Sequence, residues 1–219
     1  MEKKKVIGFY NYTVILTYIG MLFAFVGILA SIRTDFTTAI ICLMFAGICD
    51  MFDGLVASTR ERNDYEKHFG IEIDSMCDLV SFGVMPAIFI YMNLHGDTLS
   101  TLLAAIYVLC ALIRLSYFNV QELDRQQTET GHREIYLGVP VTVIAVVLPI
   151  FFVIKGVLEY FIPVLSLTAV YRAILMVFSV GFVSGIELHK PKKSGKLALV
   201  IIGIGMFVLI FVLSGAGIL

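Results

Sequence analysis

Two pairs of aspartates stand at helical spacing in otherwise apolar sequence. Asp50 and Asp53 are separated by one helical turn, and so are Asp74 and Asp78. Residues three or four apart share a helix face, so each pair presents two carboxyls to one side. A carboxylate inside a bilayer costs several kcal/mol, by an amount that depends on how it is measured, and is kept only where it serves a cavity, an ion or a partner. Four such groups brought together would also repel one another unless cations neutralise them. Hard divalent cations take oxygen ligands, and Mg²⁺ keeps coordination places for water and substrate phosphates. The spacing therefore points to a divalent-metal site that faces a phosphate-bearing ligand. Gly54, Ala57 and Gly70 add small positions where a ligand can approach the backbone.

Other readings of the same residues exist. A proton or divalent-cation transporter also uses intramembrane acids, and spacing alone leaves that alternative open. A single Asp in a span is often a hydrogen-bond acceptor, but two pairs on successive helices are not explained that way. A lone glycine in a span is commonly a packing position, so Gly54 gains weight only from its neighbours. Glu72 is read as an interfacial or supporting acid.

The elements that must carry these acids follow from composition. Of 219 residues, 59% are hydrophobic and 15% charged, and the mean hydropathy is +0.93. A soluble domain could not cover that much apolar surface. A soluble globular enzyme and a disordered chain are excluded, and a net charge of −1 supports no nucleic-acid partner. Cys42, Cys49, Cys77 and Cys110 lie in apolar stretches without a C-x-x-C pair. They are read as small packing residues, not as a disulfide scaffold or zinc site.

A membrane span needs about 20 mostly apolar residues. Seven stretches qualify, at about 6–32, 36–58, 71–93, 99–119, 136–154, 160–186 and 197–219. The sixth is long enough to break after Pro163, giving a range of six to eight. The first is too long for a signal-peptide core and is not followed by an A-x-A-like site, so it is expected to remain. Tyr10, Tyr12, Tyr136 and Tyr160 fall at span edges, where tyrosine anchors to the interface. No linker, repeat or low-complexity tract divides the chain. The expected fold class is all-α, a polytopic membrane helical bundle forming one domain over 1–219, with the acidic segment at 50–78.

With seven spans and a cytoplasmic N-terminus, twelve of the sixteen Lys and Arg residues fall in inside segments. They are Lys3, Lys4, Lys5, Arg60, Arg62, Lys67, Arg125, Arg133, Lys190, Lys192, Lys193 and Lys196. Arg33 and Lys155 fall outside, and Arg114 and Arg172 lie within spans. The bias predicts a cell-membrane protein whose acidic helix ends face the cytoplasm.

The acidic segment resembles the signature of the CDP-alcohol phosphotransferases, D-x-x-D-G-x-x-A-R followed by G-x-x-x-D-x-x-x-D. Asp50, Asp53, Gly54, Ala57, Gly70, Asp74 and Asp78 match it. Ser58 stands where the signature has arginine, Arg60 lies two residues on, and the gap to Gly70 is longer than in many members. The stretches 78–87 (DLVSFGVMPA), 114–120 (RLSYFNV) and 136–140 (YLGVP) resemble the phosphatidylserine synthase branch of the family.

That resemblance implies a six-helix membrane core, a homodimer, and a polar cavity open to the cytoplasm. It implies transfer of the phosphatidyl group of CDP-diacylglycerol to the hydroxyl of L-serine, giving phosphatidylserine and CMP. The metals would be two ions, Mg²⁺ or Mn²⁺, held by Asp50, Asp53, Asp74 and Asp78, with Asp78 also the general base. Gly54, Ala57 and Gly70 would pack against the nucleotide, with Arg60 substituting for the missing arginine. Glycerol 3-phosphate or inositol phosphate is the alternative acceptor within the family. The few basic residues near the predicted cavity disfavour such a phosphorylated acceptor.

A zwitterionic acceptor such as serine needs a cation for its carboxylate. Arg114, interrupting an apolar span, is the candidate, and Asn119 is its helper. Arg114 lies close enough to the span's end to snorkel to the interface instead. Arg172 is read as a structural pair or interface anchor. His132 and Arg133 belong to a loop that could guide anionic substrate, and the lysines of 190–196 to anionic-lipid attraction.

Overall fold

A computed structural model describes residues 8–128, 135–162, 168–189 and 193–219. Among the described residues the chain is a bundle of seven helical segments. They are α1 (Ile15–Ile32), α2 (Phe36–Ala57), a broken third segment, α5 (Thr98–Thr128), α6 (Ile144–Phe161), α7 (Thr168–Val183) and α8 (Lys193–Gly215). The third consists of α3 (Asp64–Asp78), a π-helical stretch (Leu79–Val84) and α4 (Met85–Asn93) in continuous succession. Five segments are long and apolar enough to cross a membrane: Tyr12–Ile32, Phe36–Ala57, Asp64–Asn93, Thr98–Leu123 and Val141–Phe161. Thr168–Val183 and Val200–Gly215 are shorter apolar helices. The chain is a multi-pass membrane protein.

The first two spans pack through small residues. The buried face of α1 carries Thr17, Gly20, Ala24, Gly27, Ala30 and Ser31. A Cβ on Gly20 would stand 3.1 Å from Cys49 Cβ, and one on Gly27 would stand 3.1 Å from Cys42 Cβ. Small residues at this spacing let helix backbones approach where no hydrophobic effect drives them together. All four cysteines are free thiols, and Cys42 and Cys49 fill this seam as expected.

The third segment differs from its expected start at 71. Helix α3 begins two turns earlier because Asn63 and Glu66 form a capping box. The Asn63 side chain accepts from the Glu66 N–H at 2.9 Å, and Glu66 accepts in return from the Asn63 N–H at 3.2 Å. The reciprocal bonds satisfy two of the N-terminal donors, so a polar first turn can be helical. Lys67 is thereby a helix residue and not a loop cation. Asp74 and Asp78 then sit in the last turns of α3 instead of near the start of a span.

Beyond Asp78 the helix widens. The N–H of Met85 reaches the carbonyl of Val80, five residues back, the π pattern. Pro86 carries no N–H to offer the Phe82 carbonyl four residues before it. The Tyr107 hydroxyl, from fully buried Tyr107 on α5, donates to that carbonyl at 2.7 Å.

The fifth and sixth spans are displaced from expectation. Residues Ile135–Leu137 form a short strand β1 that pairs antiparallel with β2 (Glu187–His189), Tyr136 opposite Leu188. Helical structure therefore starts at Val141, not at 136. Gly138 turns the chain with φ +72, and its N–H bonds Ile186 O at 2.8 Å. A Cβ there would lie 2.9 Å from Phe182 O, so both backbone angle and proximity call for glycine. At the other end α6 continues to Phe161. Lys155 is not an outside loop residue: it lies within α6 and pairs with Glu159 at 2.8 Å, an i,i+4 contact. Ile162 leaves the helical region at φ −131, ψ 77, as a residue before proline tends to.

Arg172 is paired as expected, 2.9 Å from Asp97 and 3.4 Å from Ser100. Lys3, Lys4, Lys5, His132, Arg133, Lys190 and Lys192 lie outside the described residues.

Candidate metal and nucleotide site

Helices α2 and α3 are joined by the short loop 58–63 and bring their acids to the same place. One carboxylate oxygen each from Asp50, Asp74 and Asp78 can be chosen so that all lie within 4.8 Å of one another. Asp53 joins beside Asp74, and Asp50 stands likewise beside Asp78. Two carboxyls in contact repel unless a cation or a proton lies between them. All four side chains are half-buried. The donors are hard oxygens only, in a partly water-accessible place, which fits a hard divalent cation and not a thiolate-seeking metal.

The neighbours of the acids hold the arrangement. Thr17 on α1 donates to Asp53 Oδ2 at 3.3 Å, a contact absent from the sequence reading. Its signal is a hydroxyl within the small-residue stripe of α1, level with the acidic end of α2. The Asn119 carbonyl on α5 accepts from Ser75 Oγ at 2.7 Å, and its amide donates to Glu72 Oε2 at 3.5 Å. Asn119 thus ties α5 to the helix of Asp74 and Asp78. Glu72 serves that tie and is not within the three-acid group. Arg114, one helical turn from Phe118, has its guanidinium 6.0 Å from that ring centroid. At 8% exposure it is held inside the bundle and does not snorkel to an interface.

The small residues are not equivalent. Among the described residues, a Cβ on Gly54 would meet nothing within 4 Å beyond its own helical turn and chain neighbours, so packing against them does not demand glycine there. A Cβ on Gly70 would stand 3.0 Å from Arg62 Nη1. Ala57 ends α2, and Ser58 caps it, its Oγ donating to Leu55 O at 2.7 Å. Arg60 is 3.4 Å from Glu66, which Asn11 also contacts at 3.2 Å. Tyr12 and Thr59 hydroxyls meet at 3.1 Å, and the Phe9 and Phe69 rings lie 5.3 Å apart. The N-terminal approach to α1 therefore braces the loop between the acidic helices.

Comparison with known proteins shows which sequences this chain resembles. Residues 10–184 match the sequence profile of CDP-alcohol phosphatidyltransferase. An archaetidylserine synthase of Methanothermobacter thermautotrophicus is 33% identical over 153 residues, which are 69% of this chain and 62% of the relative. A CDP-diacylglycerol–serine O-phosphatidyltransferase of Saccharomyces cerevisiae is 38% identical over 105 residues, 47% of this chain and 37% of the relative. One of the same name from Methanocaldococcus jannaschii is 35% identical over 103 residues, 47% of each. The matched stretches thus span less than two thirds of these relatives. The four acids lie within the matched profile, on the two helices that bring them together, and the chain belongs to the CDP-alcohol phosphatidyltransferase family.

Proposed function

We propose that the protein transfers the phosphatidyl group of CDP-diacylglycerol to the hydroxyl of L-serine, giving phosphatidylserine and CMP in phospholipid biosynthesis. The observation that carries this reading is the convergence of Asp50, Asp74 and Asp78 within 4.8 Å, on the residues that match the family signature. The names of the similar proteins support serine as acceptor.

Asp50, Asp53, Asp74 and Asp78 would hold the metal, as two ions of Mg²⁺ or Mn²⁺. A metal held there would supply positive charge to neutralise the pyrophosphate and stabilise the departing CMP. The chain's own residues do the rest. Gly54, exposed and unpacked, leaves room for the nucleotide beside Ala57 and Gly70. Asp78 takes the proton of the serine hydroxyl as its oxygen attacks the phosphorus bearing diacylglycerol and the bond to CMP breaks. Arg114, with its planar fork inside the bundle, faces the serine carboxylate. Asn119, engaged with Ser75 and Glu72, helps by fixing the helix that carries Asp74 and Asp78. The site opens to the cytoplasm, the N-terminus lies on that side, and the protein works as a homodimer.

The test is CMP release by purified protein from CDP-diacylglycerol with Mn²⁺ or Mg²⁺ across serine, glycerol 3-phosphate and inositol phosphate. Release with serine alone is expected. Release only with a phosphorylated alcohol would replace the acceptor, and no release with any alcohol would end the transferase reading. Ion flux in liposomes without CMP would favour transport, although the acids cluster in one place instead of lining a path.

A further inference from the structure

We infer that Arg62 is a phosphate-binding residue of this site, supplying from the loop between α2 and α3 the cation that the end of α2 lacks. The inference rests on the transferase reading and adds to it the residue that grips the nucleotide pyrophosphate. Ser58 ends α2 uncharged, its hydroxyl turned back to Leu55 O. Two arginines follow in the loop. Arg60 is taken up by Glu66 at 3.4 Å, and Glu66 is fixed in turn by the cap at Asn63 and by Asn11.

Arg62 is different. It is half-buried, and among the described residues it forms no hydrogen bond and no ion pair. Its Nη1 lies 3.0 Å from the position a Cβ would take on Gly70, so the guanidinium fills the notch left by that glycine. Gly70 and Asp74 are four apart on α3 and share a face, with Cβ positions separated by roughly 5–6 Å. The guanidinium thus stands one turn from the acidic group, on the same face. A guanidinium has five N–H donors in a planar fork that fits phosphate oxygens two at a time. An acidic, metal-holding group on one side and an unclaimed guanidinium beside it make a site for an anion bridging the two. Arg62 lies on the Gly70 side of the site and Arg114 on α5, so the two arginines divide the donor's phosphates and the acceptor's carboxylate between them.

The test measures CDP binding by calorimetry in detergent with Mn²⁺, and CMP release in parallel, for wild type, Arg62→Ala, Arg62→Lys, Arg62→Ala with Ser58→Arg, and Lys67→Ala. Arg62→Ala should weaken CDP by about tenfold or more, the loss expected for charge-assisted hydrogen bonds to phosphate. It should leave cytidine binding and the KM for serine unchanged. Arg62→Lys should fall between, because it keeps the charge and loses the fork. Arginine at position 58 should restore part of the loss. Lys67→Ala, which removes an exposed cation in the first turn of α3 paired with Asp64, should change nothing. CDP binding by Arg62→Ala equal to wild type, or an equal loss for cytidine, would overturn the inference. Failure of wild type to release CMP with any alcohol, alongside Arg62-dependent CDP binding, would sink the transferase reading and leave the phosphate site standing. If Arg62→Ala does not fold, Arg62→Lys decides by the same comparison.

Discussion

The Tyr107 hydroxyl lies 2.7 Å from the Phe82 carbonyl and donates to it across the α5 interface. Phe82 is one turn beyond Asp78, inside the widened helix, and Pro86 cannot serve that carbonyl. Tyr107 therefore holds the helix where it leaves the acidic group. Tyr107→Phe keeps the ring and removes the donor. The expected outcome is a loss of about 1–3 kcal/mol, the cost of leaving a buried carbonyl short of a partner, read as a lower Tm in detergent. The stabilisation gained on adding Mn²⁺ should shrink as well. An unchanged Mn²⁺ shift would confine Tyr107 to packing.

Asp74 occupies a double position. It contacts Asp53 and also belongs to the group with Asp50 and Asp78. Asp74→Asn should therefore raise the Mn²⁺ concentration needed for thermal stabilisation more than Asp53→Asn does. Asp53 retains its Thr17 contact but lies outside the three-acid group. Both variants should fold, since removing one of several repelling carboxyls relieves the apoprotein. Equal midpoints for the two variants would contradict the asymmetry. Asp78→Asn should abolish CMP release while leaving the fold intact, and retained turnover would remove its role as base.

Much of this arrangement was legible in the sequence because it is local. Three- and four-residue spacings put each acid pair on a face, and only the short loop 58–63 separates α2 from α3. The start of α3 was legible too, in Asn63 and Glu66, but hydropathy alone pointed seven residues later because the first turns are polar. The pairing of β1 with β2 was not readable. It joins residues about fifty positions apart, and neither three-residue strand has a pattern long enough to stand out. Lys155 was misplaced because a charge suggests a loop, whereas an i,i+4 partner in Glu159 makes it acceptable within a helix. The contacts of Thr17 and Asn119 with the acidic helices depend on how α1 and α5 rotate about their axes, which no single-helix pattern fixes.

Gly54 offers a test of the open side of the site. Among the described residues, no atom beyond its own helical turn and chain neighbours lies within 4 Å of where its Cβ would be. Gly54→Ala should therefore fold with an unchanged or slightly higher Tm, since alanine is the better helix former by about 1 kcal/mol. If the nucleotide approaches the backbone there, the same variant should raise the KM for CDP-diacylglycerol without altering the response to Mn²⁺. A KM equal to wild type would place the nucleotide elsewhere.

Asp97 and Arg172 allow a pH test remote from the acids. Asp97 lies in the turn between α4 and α5, and its carboxyl is held below the usual carboxylate range. The hydrogen bond from Ser100 is the main cause, and the Arg172 guanidinium at 2.9 Å contributes. A carboxyl whose folded-state pKa is lowered binds protons more weakly folded than unfolded. Its stabilising contribution is therefore full above the ordinary carboxylate value and disappears as pH falls through the lowered one. Both partners are partly solvated, so the effect should be small and salt-sensitive. Asp97→Asn should lower Tm slightly near neutral pH, and the difference from wild type should close as the solution is acidified below the carboxylate range. A gap that stays constant with pH would show that the pair stabilises through packing or neutral hydrogen bonds, and that charge at Asp97 contributes nothing to holding α7 against the α4–α5 turn.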